Sequence, residues 1–296
     1  MQLITSASFW TPDYIVDSAW LEHAPFAFWL MEAHRPRVVV ELGTHGGFSY
    51  CCFCQAIQRL GLSARAYAID TWKGDEHAGF YGEDVFQGLS AYHERYSSFS
   101  QLVRSKFDEA LPHFEDGSVD LLHIDGRHFY EDIKRDFEIW RPKLSSRGVV
   151  LFHDTNVRER GFGVFQLWPE IKDDYLNFEF FHGHGLGILG ARGGLSDELL
   201  QLFASSNDDG SSRAIREAYA KLGQGVTTLF SNKMLAATVE AERQSFGAAL
   251  NAAAEKEHAQ AVAEKEAHIW PPMTPTRIWR PLYLALRALL KWRGRP

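Results

Sequence analysis

Arg37-Val-Val-Val-Glu-Leu42, broken by Gly43-Thr-His-Gly-Gly47, constrains the fold of this chain more than any other stretch. The run is β-branched and too uniformly apolar for a strand with one face in water. It predicts a buried strand of a parallel sheet. The glycines break it, and Phe53, Ile57 and Leu60 then fall on the inward face of a helix that Gly61 ends.

The same alternation continues. Strands are predicted at 66–70, 101–104, 119–124 and 148–152, with helices at 84–96, 108–113, 129–140 and 164–174. Phe178–Phe181 and Leu186–Leu189 pair across Gly183-His-Gly185 as a hairpin. Strands alternating with helices mean a sheet wound on both faces. The expected class is α/β: a doubly wound, mostly parallel, seven-stranded Rossmann-like sheet with a reversed edge hairpin and a helical C-terminal extension. Residues 1–36 read as a helical cover, with Thr11-Pro12 opening one helix. Pro25 opens a second, with Phe26, Trp29, Leu30 and Ala33 on one face, and Pro36 stops it. Residues 37–192 form the sheet domain.

After Gly190 the composition shifts. Residues 193–226 read as a connector in which Ser196 caps one short helix and Ser212–Leu222 forms another. Residues 227–268 are rich in Ala, Glu, Lys and Gln and predict one long helix. Leu235, Val239, Phe246 and Ala253 mark a stripe near heptad spacing, which fits a coiled coil or an exposed, solvated helix. Pro271, Pro272 and Pro275 interrupt it. The tail, 269–296, carries Arg277, Arg280, Arg287, Lys291, Arg293 and Arg295 and no acid, interleaved with Trp279, Leu282, Leu286, Leu289 and Leu290. A basic amphipathic helix over 277–293 suits an anionic membrane surface, an acidic partner, or docking on another domain.

Composition sets outer bounds. With 296 residues, 45% hydrophobic and 14% aromatic, whole-chain disorder is excluded. A formal charge of −7 gives no general pull toward nucleic acid. Cys51, Cys52 and Cys54 read as reduced core thiols, although Cys51-x-x-Cys54 has redox spacing. No signal peptide and no membrane span are expected, so the expected place is the cytoplasm, peripherally at the inner membrane face.

The chemistry concentrates at Glu41-Leu-Gly-Thr-His-Gly-Gly-Phe-Ser49. Glycines between a strand and a helix let the backbone approach a ligand closely. The loop lacks the middle glycine of a G-x-G-x-x-G dinucleotide fingerprint. Glu41 would repel a phosphate and suits an ammonium group or ribose hydroxyls. Asp70, ending the next strand, can accept both ribose hydroxyls. The ligand implied is cationic or zwitterionic and carries a nucleoside.

With those residues in place, roughly Val38 to Gly190 resembles the class I S-adenosylmethionine-dependent methyltransferases. The matching motifs are Glu41–Ser49, Asp70 and His123-Ile-Asp-Gly126. His123-Ile-Asp-Gly-Arg-His128 and Phe152-His-Asp-Thr155 resemble the branch of macrocin-type sugar O-methyltransferases and cephalosporin-hydroxylase-like proteins. The stretch 69–79 is similar to relatives encoded near bacterial glycosyltransferases. The resemblance implies that S-adenosylmethionine is held by Glu41, Gly43, Thr44, Gly46, Ser49, Asp70, Trp72, Ser105 and Asp125. It implies O-methyl transfer to a sugar or glycan hydroxyl in surface polysaccharide assembly. His128, His153 and Asp154 are the catalytic candidates. Asp125 and Asp154 match carboxylates that hold Mg²⁺ or another divalent cation in several members, with His153 standing where an acid is usual.

Other readings are softer. Trp72 with the 74–82 loop could close over the site, bringing Asp75 and His77 to substrate. His182 and His184 read as turn residues. Self-association or an assembly partner through 227–268 is expected. A non-catalytic adaptor built on the same domain is the alternative, and the missing G-x-G disfavours an NAD-dependent oxidoreductase.

Overall fold

The computed structural model describes residues 3–269 and 280–293, and the chain divides into two compact units, 1–233 and 234–296. In the first, α1 (Ala24–His34) has Pro25 in its first turn and ends where Arg35 turns left-handed, just before Pro36. Strand β1 (Val38–Leu42) leads through the glycine loop into α2 (Phe48–Leu60), which Gly61 caps in the left-handed conformation. Next come β2 (Arg65–Asp70), a small hairpin of β3 (Gly74–Asp75) and β4 (Gly79–Phe80), and α3 (Glu83–His93). Then follow β5 (Ser100–Arg104), α4 (Phe107–Ala110), β6 (Val119–Ile124), α5 (Tyr130–Trp140) and β7 (Leu144–His153). The sheet domain closes with α6 (Val164–Ile171), β8 (Leu176–Phe180), β9 (Leu186–Gly190) and α7 (Asp197–Ser205).

The seven strands lie in the order β5-β2-β1-β6-β7-β9-β8. All neighbours from β5 to β7 are parallel, and β9 runs antiparallel to both β7 and β8. The expected doubly wound sheet with a reversed edge hairpin is therefore present. The reversed strand itself lies one place inside the edge. Strand order reverses between β1 and β6, the crevice where open α/β sheets take ligands beyond the carboxyl ends of their strands.

Side-chain alternation divides the core in two. Val39, Leu121, Val149 and Leu151 point to the face covered by α1, α2 and α7. Val40, Leu42, Leu122, Val150 and Phe152 point to the face covered by α5 and α6. Continuing the first series by one step puts Glu41, His123 and His153 on the same face at the carboxyl ends of their strands. Glu41 stands directly opposite His123 in the β1–β6 register.

The N-terminal cover differs from expectation. No helix starts at Thr11-Pro12; a single 3-10 turn lies earlier, at Ala7–Phe9. The side chain of Gln55 holds the extended segment instead, accepting from Asp13 N–H at 2.8 Å and donating to Thr11 O at 2.9 Å. Backbone groups satisfied by a neighbouring helix need no helix of their own. Of the expected stripe of α1, Phe26, Trp29 and Leu30 are buried and Ala33 is half-buried; Ala27, Phe28 and Met31 are buried too, because α2, the 7–9 turn and α7 surround the helix.

The connector also differs. Helix α8 (Asp209–Ile269) is continuous where the sequence predicts a break before Thr227. Gly223 looks like a breaker, but its missing side chain is a packing device. A Cβ there would sit 2.3 Å from the carbonyl oxygen of Glu22. Leu235, Val239, Phe246 and Ala253 are exposed on α8. The last helix is α9 (Arg280–Arg293). Pro271, Pro272, Pro275, Arg277, Trp279 and Arg295 lie outside the described residues. Among the described residues no helix is long and apolar enough to cross a membrane. Cys51, Cys52 and Cys54 are buried and unpaired, and burial pushes all three thiols up, Cys54 to about 12.

Candidate active site

Gly43 leaves β1 at φ 86°, and a Cβ there would meet the backbone oxygen of Asp125 at 2.2 Å. Only glycine lets the loop after β1 run this close to the loop after β6. Asp70 ties the loop down from β2. Its Oδ2 accepts the N–H groups of Thr44 (2.8 Å) and His45 (2.9 Å), and Oδ1 accepts that of Trp72 at 2.7 Å. A carboxylate has about four acceptor positions, so Asp70 keeps some capacity for a ligand.

Two adjoining cavities open over the strand ends. The first, about 260 Å³, is lined by Asp70, Phe107, Gly126, Arg127 and Asp136 among others. The second, about 280 Å³, is lined by Thr44, Gly46, Ser49, Trp20, His153 and Asp154 among others. Gly43, His45, Ala78, Asp125 and His128 line both, so the two form one groove. Nine expected positions thus line it: Gly43, Thr44, Gly46, Ser49, Asp70, Asp125, His128, His153 and Asp154.

Three expected ligand contacts lie elsewhere. Glu41 is fully buried, and its Oε2 pairs with His123 Nδ1 at 2.8 Å. Burial pushes its carboxyl up, against the His123 hydrogen bond. Trp72 is buried beneath the glycine loop, donating from Nε1 to His45 O at 3.0 Å, so it supports the loop instead of closing over the groove. Ser105 turns its hydroxyl to Lys106 O, and its neighbours Lys106 and Phe107 line the first cavity.

A cluster of carboxylates and imidazoles lies where the two cavities meet, Asp125 and His128 lining both and His153 and Asp154 the second. His128 Nε2 lies 3.1 Å from Asp125 Oδ1 and 2.9 Å from Asp154 Oδ2. His153 Nδ1 lies 3.3 Å from Asp125 Oδ1 and 3.4 Å from Asp154 Oδ2, while its Nε2 donates to Gly183 O at 3.0 Å. Asp154 holds a left-handed backbone at φ 62°, uncommon for a residue other than glycine and often met at functional sites. Burial alone would raise the Asp125 and Asp154 carboxyls, but His153 and His128 hold both below the usual carboxylate range. Burial likewise opposes the charge on His128, yet hydrogen bonds to Asp125 and Asp154 push it up to about 9. Burial opposes the charge on His153 too, but the Asp154 and Asp125 charges raise it well above the usual imidazole range.

Several contributors were not legible. His184, read as a turn residue, places Nδ1 3.2 Å from Asp154 Oδ1. Its signal was the hairpin register: His153 pairs with Leu186, which lays the turn before Leu186 beside Asp154. Trp20 donates from Nε1 to His123 Nε2 at 3.1 Å and lines the second cavity. No local pattern links residue 20 to this site. His77 does reach it, as a strut. Its Nδ1 accepts His128 N–H at 3.3 Å, and its Nε2 donates to Arg160 O at 3.0 Å.

Residues 40–155 match the family model described as a methyltransferase domain. The match supports a class I methyltransferase domain. That span runs from within β1 to the residue after Asp154 and carries the loops that follow β1 and β6. A curated relative from Sinorhizobium fredii, the uncharacterized protein y4gI, is 59% identical over 172 residues. The alignment covers 58% of this chain and 19% of that protein, so this chain matches about a fifth of its relative's length. Among solved structures, a provisionally assigned caffeoyl-CoA O-methyltransferase from Staphylococcus aureus aligns at 20% identity and TM-score 0.46. That alignment covers 60% of this chain and 85% of the other. The O-methyltransferase TomG from Streptomyces achromogenes, solved with SAM, aligns at 14% identity and TM-score 0.44, covering 61% and 83%. Likeness at that level carries nothing about chemistry; the fold stands on its own strand order.

Proposed function

We propose that this chain is an S-adenosylmethionine-dependent O-methyltransferase acting on a sugar or glycan hydroxyl, in bacterial surface polysaccharide assembly. The observation that carries the reading is the shared groove. The glycine loop and the Asp125–His128–His153–Asp154 cluster open onto one space at the strand switch point. Thr44 Oγ1, in the lining of the second cavity, is buried without a protein partner, as suits a site that expects a polar ligand. The sugar acceptor rests on the motif resemblance at 123–128 and 152–155.

The cofactor would supply an electrophilic methyl carbon and carry the hard part of the chemistry. Asp70 and the loop at 43–46 would orient its nucleoside in the first cavity. The second cavity would take the acceptor, with Trp20 and Phe162 as apolar walls. A divalent cation fits the residues between the two. Oxygen or nitrogen atoms of Asp125, His128 and Asp154 lie within 4.8 Å of one another. Two carboxylates and an imidazole suit Mg²⁺ less than Mn²⁺ or a later transition ion. Such an ion would lower the pKa of a bound hydroxyl. Asp125 and Asp154 raise the pKa of His128 and His153, so a cation would compete with their protons for the two carboxylates.

Calorimetry with S-adenosylmethionine, S-adenosylhomocysteine and NAD tests the cofactor. Binding of the first two and not of NAD is expected; binding of none favours the adaptor. With an acceptor in hand, a pH profile with and without chelator separates the mechanisms. Loss on chelation, restored by Mg²⁺ or Mn²⁺, assigns the metal. Activity that survives chelation and falls as pH drops through about 9, where Asp125 and Asp154 hold His128, assigns a histidine base.

A further inference from the structure

Helix α9 is short, largely apolar, and basic wherever it is charged. Arg280–Arg293 is 14 residues long and holds five leucines, Tyr283 and Trp292. It also holds four basic residues, Arg280, Arg287, Lys291 and Arg293, and no acid. Leu282, Leu286 and Leu289 fall four and three apart, on one helical face, and are 62%, 45% and 63% exposed. Arg287 lies on the opposite side of the helix from those three, and Leu284, also turned from them, is exposed as well. Little in the described chain covers these leucines.

Length and charge identify what does. At 1.5 Å per residue the helix is about 21 Å long, short of the ~30 Å of a bilayer's hydrocarbon core, so it would lie along a membrane instead of crossing it. Removing its four charges takes the formal −7 of the chain to −11, so α9 is a cationic element on an otherwise acidic protein. Five leucines with four basic residues and no acid, and Tyr and Trp among them, make the composition of helices that settle at the headgroup–acyl boundary. We propose that α9 is an interfacial helix that holds this protein on an anionic lipid surface. Its exposed leucines sit among the acyl chains and its basic side chains reach the headgroups. The proposal rests on no part of the methyl-transfer reading.

Vesicle flotation of the full chain tests it, using phosphatidylcholine alone and phosphatidylcholine with about a third phosphatidylserine. The chain should float with the anionic vesicles and stay behind with the neutral ones. Binding should weaken as salt is raised to about 0.5 M. Leu286→Glu combined with Leu289→Glu should lower partitioning about tenfold or more, since two exposed leucines lose their place in the lipid. Arg287→Glu should weaken binding to anionic vesicles less. Circular dichroism and a melting curve of each variant confirm that the rest of the chain is folded. Equal flotation of the wild type and the double leucine variant would overturn the proposal, as would equal binding to both vesicle types. Failure to float at low salt, with a leucine-dependent oligomer by size exclusion, would assign this face to a second copy of the chain and overturn it as well.

Discussion

Asp70 was legible as a strand-end carboxylate beside a glycine loop, but not as the group that ties that loop together. Thr44, His45 and Trp72 all donate backbone N–H groups to it, and no spacing rule connects those three positions to residue 70. Asp70→Ala should therefore lower stability by about 1–2 kcal/mol, because three backbone donors, two of them part-buried, lose their acceptor, and should weaken S-adenosylhomocysteine binding as well. Urea melts with calorimetry on the same sample check both halves. A variant that melts like the wild type would show that the loop does not need the carboxylate. His34 offers a test of sign. It is buried, with Nε2 donating to Asp120 O at 2.8 Å. Burial, helped by the nearby Arg147 charge and opposed by that hydrogen bond, pulls its pKa down to about 4. The unfolded chain takes up this proton near 6.5 and the folded chain only near 4. Stability is therefore lost as pH falls through that window, by up to roughly 1.4 kcal/mol per unit. His34→Gln removes the titration. The stability gap between wild type and variant should shrink by about 2 kcal/mol from pH 7 to pH 5. A gap that stays constant over that range would mean the ring is not held neutral.

Elements were most legible where their signal is local. The buried β1 run, the stop at Gly61 and the cap at Ser196, whose side chain accepts Leu199 N–H at 3.3 Å, all depend on residues within a few positions of each other. Helix α8 shows where that logic ends. Gly223 and Gly225 read alike in sequence, yet a Cβ at Gly223 collides with the backbone of Glu22 and one at Gly225 meets open space. Only the tertiary contact distinguishes them. Alanine favours a helix interior over glycine by about 1 kcal/mol. Gly225→Ala and Gly247→Ala, both in open space, should thus stabilise α8 by about 0.5–1 kcal/mol each. Gly223→Ala should instead cost about 1–3 kcal/mol, since the clash outweighs the propensity gain. Thermal melts of the three single variants decide the matter, and a stabilising Gly223→Ala would remove Glu22 from the account.

At the scale of the molecule, the candidate site is assembled from segments far apart in the chain. Residues 17–20, the loop after β1, the β3–β4 hairpin, the ends of β6 and β7, and the β8–β9 turn all reach the second cavity. Motif reading found the strand ends, because position at a carboxyl edge follows from strand order. It missed Trp20 and His184, which depend on how a cover segment and a hairpin turn settle on that edge. It also carried Glu41 into the cofactor site, whereas the β1–β6 register turns that carboxylate to His123 in the interior. The division of labour along the groove has a direct consequence. Asp154 lines the second cavity, while Asp70 lines the first and the glycine loop runs beside both. Asp154→Asn keeps a side chain that tolerates the left-handed backbone and removes one charge. It should lower Mn²⁺ affinity about a hundredfold or more, beyond the loss typical of changes that only reorient a ligand. S-adenosylhomocysteine affinity should change by less than about twofold, since no expected nucleoside contact involves Asp154. Calorimetry with each ligand separately measures both numbers without any acceptor. Parallel loss of both would mean that residue 154 shapes the whole groove. Unchanged Mn²⁺ binding would place the cation, and with it the acceptor hydroxyl, away from the cluster that joins β6 to β7.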